Sequence, residues 1–203
     1  MGMYFSLLGV SVVAIVLAAA GATSQVSTEL LASVAFAAAT LVWLAMLRKH
    51  VRLGLGRTRR LLWYPAAVAL ACVTFAGSSV FVRLLVHFVD IQEINLTRPL
   101  LDAGLGWPTI VLVLCVQPAV FEELAFRGVI QDLLSQPLGT RDSVIVSAVL
   151  FMVLHLTVLS FPHLFLLGLV LGYIRWRSGS LYPCMLLHFT HNLLVILMEM
   201  KGL

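Results

Sequence analysis

Apolar residues run along this chain in blocks, broken by short polar stretches, with no alternation at every second position. The blocks fall at residues 5–22, 30–47, 61–82, 108–130, 142–160, 162–176 and 181–199. An apolar run of about 20 residues is long enough to cross a bilayer as a helix. Backbone polar groups must be satisfied internally there, so helix is the expected form. The pattern therefore predicts an all-α, polytopic transmembrane bundle of about seven helices. The sixth run is short and starts at a proline, so it is expected to be tilted or only partly spanning, and six helices is the alternative count. No linker, low-complexity tract or repeat divides the chain, and a single integral membrane domain over residues 1–203 is expected.

Composition agrees with the pattern. The chain is 61% hydrophobic and 11% charged, with a mean hydropathy of +1.05, whereas soluble domains carry roughly 25% charged residues. The first block has no basic residue before it and a second block follows closely, so it reads as an uncleaved helix despite the small-residue stretch from Ala18 to Ser24. Basic residues concentrate between the second and third blocks, at Arg48, Lys49, Arg52, Arg57, Arg59 and Arg60. Cytoplasmic loops collect Lys and Arg. With this loop inside, the N-terminus, Arg141, Arg175 and Arg177 also fall inside. Arg83, Arg98 and Lys201 fall outside with the acidic loop carrying Asp90, Glu93 and Asp102, and Leu203 ends outside. The net charge of +4 is thus explained by topology, and no nucleic-acid partner is expected. Cys72, Cys115 and Cys184 lie in or near apolar runs without a CxxC spacing and read as small packing residues.

One apolar run carries charges. In "PAVFEELAFRGVI", Glu122, Glu123 and Arg127 sit where lipid or neighbouring helices should be. A charge near the bilayer centre costs about 2.5–3.5 kcal/mol on insertion scales, so such residues face the bundle interior and pair. Glu123 and Arg127 are four apart and share a helix face. Glu122 points about 100° away and lacks that partner. A carboxylate in a water-poor site is a stronger base than one in water, which suits it to take a proton.

Later runs add polar groups. Phe151 and His155 are four apart in the fifth, and His188 and Asn192 are four apart in the seventh, with His191 off their shared face. His163 follows Pro162 and reads as interfacial, and His50 and His87 as loop or helix-end residues. At 1.5 Å per residue, Glu122 and His188 each come about 10 Å from the inner face of a ~30 Å core, whereas His155 comes roughly 20 Å from it if its helix starts at Asp142. A helix beginning one or two turns inside the cytoplasm would remove that conflict.

Glu-Glu-x-x-x-Arg, Phe-x-x-x-His and His-x-x-x-Asn, in this order on three membrane helices, resemble the CPBP family, which comprises the type II CAAX prenyl endopeptidases and the bacteriocin-processing, Abi-type intramembrane proteases. The resemblance covers about residues 108–195, within catalytic helices expected over 108–199. It implies peptide-bond hydrolysis in the membrane, with a water deprotonated by Glu122 and helped by His155. His188 and Asn192 would donate to the oxyanion. Glu123 would hold Arg127 or share the base role, with Phe151 supporting. No cofactor is expected. Zinc held by Glu122, His155 and His188 is the rival mechanism, although the chain has no His-Glu-x-x-His. Buried Glu and His chains also serve proton-coupled transporters, and a non-catalytic scaffold is a further alternative. The implied partners are a membrane-anchored or lipidated protein or peptide and membrane lipids. The expected location is a bacterial cell membrane, with the N-terminus cytoplasmic.

Overall fold

The structure, a computed structural model, describes residues 1–21, 24–56, 58, 60–89 and 95–201, apart from the Gln25 side chain. Ala22, Thr23, Arg57, Arg59, Asp90, Glu93 and Leu203 lie outside the described residues. Among the described residues the chain forms eight helices and no strand. These are α1 (Gly2–Ala19), α2 (Gln25–Leu47), α3 (Trp63–Val89), α4 (Thr97–Asp102), α5 (Trp107–Leu138), α6 (Thr140–Leu154), α7 (Phe161–Ser178) and α8 (Tyr182–Lys201). Six of them, namely α1, α2, α3, α5, α7 and α8, are long and apolar enough to cross a membrane.

Each of the seven apolar runs contains a helix, but the short one is α6 and not α7. The run 142–160 was expected to be one helix; α6 stops at Leu154. Leu156 takes φ 55°, a region that side chains with a Cβ rarely occupy. Its N–H closes on the Val153 carbonyl at 3.1 Å. A 3₁₀ turn at Val158–Ser160 and Pro162 in the first turn of α7 complete the reversal.

The α5–α6 hairpin removes the depth conflict. Helix α5 runs eight residues past the expected end at Ile130, to Leu138. Gly139, at φ 78° and ψ 168°, makes the turn, in a backbone region open to glycine. Glu122 lies 17 residues before Gly139 and His155 lies 16 after it, so the two stand at nearly equal height on antiparallel helices. Helix α8 starts higher, with Leu181 beside Gly128, and this puts His188 at the same level.

Polar residues are turned inward and apolar ones outward, the reverse of a soluble bundle. Val12, Val34, Val73 and Val80 are exposed, whereas Glu123, Arg127, Ser143, Ser147, His188 and His191 are buried. Small residues let the central helices approach. A Cβ on Gly168 would come 3.0 Å from Ala148 Cα, and one on Gly172 would come 3.0 Å from Val144 Cγ1. Gly-x-x-x-Gly on α7 thus seats it against α6, as small residues do between membrane helices. Helix α8 packs against α3, α5 and α7, and α2 meets α5, where Gln117 Nε2 donates to the Ser33 carbonyl at 3.0 Å.

Candidate active site

The two glutamates stand at the end of a seven-residue α-helical stretch, Gln117–Glu123, bracketed within α5 by π-helical turns at Leu112–Val116 and Leu124–Ile130. π turns leave carbonyls without their usual partners and often mark functional positions. Pro118 has no N–H, so the Leu114 carbonyl lacks the donor four residues on. Asn192 on α8 replaces it, donating from Nδ2 at 3.0 Å. In the second turn Gln131 N–H bonds back to Phe126 and so leaves the Arg127 carbonyl, which accepts instead from Arg175 Nε at 3.2 Å.

The neighbouring carboxylates differ sharply. Glu123 and Arg127 are both 0% exposed. Glu123 Oε1 accepts from Arg127 Nη1 at 3.1 Å and from His188 Nδ1 at 2.8 Å. Arg127 Nη2 donates to the Gly168 carbonyl at 3.1 Å, and its guanidinium stacks 4.5 Å from the Phe151 ring centre. Buried charge is tolerated where it is paired and hydrogen-bonded, and here pairing, hydrogen bonds and cation–π contact all contribute. The side chain of Glu122 is 18% exposed and its Oε2 is buried without a hydrogen-bond partner. The nearest cation-forming group is His188 Nε2 at 4.0 Å.

Histidine tautomers follow from the partners. A carbonyl only accepts, so His155 Nδ1, 2.8 Å from the Phe151 carbonyl, carries the proton and leaves Nε2 with its lone pair. Phe151 therefore serves twice, roofing Arg127 with its ring and orienting His155 through its carbonyl. Its ring also meets those of His155 and His188 edge-on, at 4.8 and 6.1 Å.

Glu122, Phe151, His155, His188 and Asn192 line one cavity of about 270 Å³. The structure thus brings together the residues of all three motifs, with Glu123 and Arg127 behind its wall. His163, expected at an interface, lines the same cavity and lies 5.8 Å from the Phe81 ring. The reversal at Leu156 folds the start of α7 back beside His155, which the apolar pattern did not disclose. His50 and His87 do fall in a turn and a last helical turn. His191 also lines the cavity. Its Nδ1 is 3.0 Å from Thr74 Oγ1, whose own proton goes to the Ala71 carbonyl at 3.1 Å. His191 must therefore donate to Thr74, leaving Nε2 as an acceptor. Three residues away from His188 on α8 was the one sequence signal for it. Through shared lining residues the cavity continues into an apolar groove of about 410 Å³ between α3 and α8, bordered by Ser78, Phe81, Leu85 and Met198.

Among the described residues no three His, Cys, Asp or Glu side chains converge as metal ligands. Glu122, His155 and His188 share a cavity in this geometry without forming a ready zinc site.

Residues 104–194, 91 of the 203, match the family model of the Rce1-like type II CAAX prenyl endopeptidases. No curated protein and no solved structure matches the chain. The matched segment holds Glu-Glu-x-x-x-Arg, Phe-x-x-x-His and His-x-x-x-Asn, whose residues line the cavity or, for Glu123 and Arg127, stand behind its wall. Over this segment the chain is thus similar to the CPBP family of intramembrane CAAX-type proteases, and the match together with six apolar helices long enough to span a bilayer supports an integral membrane protein of that kind.

Proposed function

We propose that the chain hydrolyses a peptide bond in a membrane-anchored or lipidated protein, with a water molecule activated by Glu122. The observation that carries this reading is the division between the two carboxylates. Glu123 is held through Oε1 by Arg127 and His188, its Oε2 buried without a partner, while Glu122 lines the cavity with no hydrogen bond to its Oε2 and no cation nearer than 4.0 Å. Its 4.0 Å separation from His188 Nε2 is one that a water can bridge.

In this mechanism Glu122 takes a proton from water, and His155 Nε2 accepts the hydrogen bond of the second water hydrogen. The water oxygen attacks the scissile carbonyl, whose oxygen becomes an oxyanion. Asn192 spends one Nδ2 hydrogen on Leu114 and has one left to donate. His188 donates its Nδ1 hydrogen to Glu123, so a second donation, from Nε2 to the oxyanion, requires the imidazolium. One such oxyanion donor contributes about 2.7–4 kcal/mol in other hydrolases. Collapse breaks the C–N bond, and Glu122 returns its proton to the leaving amine.

The apolar groove beside the cavity favours an apolar chain segment next to the cleaved bond. The family's action on CAAX boxes supports C-terminal processing of a lipidated or anchored protein. We place the basic α2–α3 loop and the N-terminus in the cytoplasm of a bacterial cell, on the positive-inside pattern.

The test is cleavage by the purified protein in lipid nanodiscs. The probes are a fluorogenic peptide ending in a farnesylated Cys-aliphatic-aliphatic-X box and its unprenylated twin. Wild type is expected to cleave and Glu122→Gln to be inactive. Cleavage by Glu122→Gln at the wild-type rate overturns the mechanism; cleavage of the unprenylated twin alone overturns the lipidated substrate.

A further inference from the structure

We propose that Arg175 is a positioning residue for this reaction, clamping the π turn that follows the glutamates and tying it to the basic α2–α3 loop. The proposal rests on the hydrolase reading for its effect on catalysis and on geometry alone for the clamp.

A π turn is unfavourable unless the carbonyl it orphans finds a donor. In the turn Leu124–Ile130 that carbonyl belongs to Arg127, because Gln131 N–H has moved one residue back to Phe126. Arg175, 48 residues downstream on α7, supplies the donor from Nε at 3.2 Å. The same guanidinium reaches from Nη2 to the Arg52 carbonyl at 2.6 Å. The loop is secured further by bonds from Leu181 N–H to the Gly54 carbonyl at 2.9 Å and from Ser180 Oγ to the Gly56 carbonyl at 2.8 Å, and to α5 by bonds from Arg52 N–H to Asp132 Oδ2 at 2.9 Å and from Gln136 Nε2 to the His50 carbonyl at 3.4 Å. Gly54 makes room for the clamp. It sits at φ +66°, and a Cβ there would come 2.7 Å from Arg175 Cζ.

The consequence for the site is a matter of register. Were the turn to relax to α-helix, Gln131 N–H would return to the Arg127 carbonyl and Arg127 would rotate relative to Glu123. Arg127 is bound both to Glu123 and to the Gly168 carbonyl, so that rotation would pull Glu123 from His188 and shift Glu122 in the cavity. Asn192 performs the equivalent service for the first π turn through Leu114. The glutamates are therefore held from both sides by donors on other helices. Lysine cannot replace Arg175 here, because two carbonyls are met by separate nitrogens of one planar fork.

Two substitutions break the clamp by different routes. Arg175→Gln removes the donors. Gly54→Ala pushes the guanidinium aside without touching α5 or the cavity. Both are expected to lower kcat about a hundredfold, the order that a misplacement near 1 Å costs, with KM unchanged. In the double variant the effects should not add, since both act on one contact. Arg175→Lys should rescue less than a tenth of the lost rate. Amide hydrogen exchange in nanodiscs gives a readout independent of cleavage, with peptides covering 126–132 expected to exchange roughly tenfold faster and those of α1 and α2 unchanged. Unchanged exchange at 126–132 in Arg175→Gln overturns the clamp. Faster exchange with wild-type kcat overturns its link to catalysis. Faster exchange in a protein whose wild type cleaves neither probe supports the clamp and counts against the hydrolase reading.

Discussion

Replacing Glu123 by glutamine should unfold the protein more readily than replacing Glu122 by glutamine, although the two residues are adjacent and the change is the same. Glu123→Gln leaves Arg127, 0% exposed, without a counter-charge. Removing one partner of a buried ion pair costs about 3–5 kcal/mol. Glutamine retains one acceptor oxygen, and the Gly168 carbonyl and Phe151 face still hold the guanidinium, so the lower end, about 3 kcal/mol, is expected. The charge-assisted bond from His188 Nδ1 is weakened in the same step and belongs within that figure. Glu122→Gln breaks no hydrogen bond, since Oε2 has none, and should change stability by less than about 0.5 kcal/mol. The folded-to-unfolded ratio should thus fall more than about fiftyfold for one variant and barely for the other. Denaturant titration in micelles, followed by far-UV circular dichroism, measures both. Coincident transitions, or Glu122→Gln as the less stable variant, would refute the division of labour between the carboxylates.

Asn192→Ala should lower kcat by about a hundred- to a thousandfold, the value of one oxyanion donor, and progress curves in nanodiscs would show it; wild-type turnover removes Asn192 from the oxyanion site. The purified protein should carry no stoichiometric zinc by elemental analysis, and a chelator should leave cleavage intact. About one zinc per chain, lost with activity and restored with it, would transfer the site to metal chemistry. Gly168→Ala, whose Cβ would meet Ala148 Cα at 3.0 Å, should force α6 and α7 apart and destabilise by about 1–3 kcal/mol, read from the same unfolding titration; an unshifted midpoint would show that the helices have slack. Substrates should be cut toward the cytoplasmic end of a membrane segment, at a point eased open by Gly, Pro or a helix end, because intact helix hides its carbonyls. Mass spectrometry of the products locates the bond, and a reporter fused after Leu203 tests the orientation separately.

The apolar blocks located seven of the eight helices and their order, because spanning length and backbone satisfaction in lipid are local requirements that a sequence displays directly; the short α4 lies outside every block. Helical periodicity likewise carried the pairing of Glu123 with Arg127 and the isolation of Glu122, since both depend only on residues one to four apart. Order and spacing of the three motifs were legible for the same reason. The tertiary structure decided where the helices end and what their backbones need. Leu156 in a left-handed conformation stops α6 beside the cavity, and the extension of α5 to Leu138 levels Glu122 with His155. Neither follows from hydropathy: the chain stays apolar past Leu154, where α6 stops, and turns polar at Gln131, where α5 continues. Two carbonyls, of Leu114 and Arg127, lose their helical donors within α5, and the replacements come from Asn192 and Arg175, 78 and 48 residues away. Hydrogen-bond demand arises locally from Pro118 and the π turns, but its satisfaction is a contact between distant parts of the chain, which only the packed bundle brings within 3 Å or so of one another.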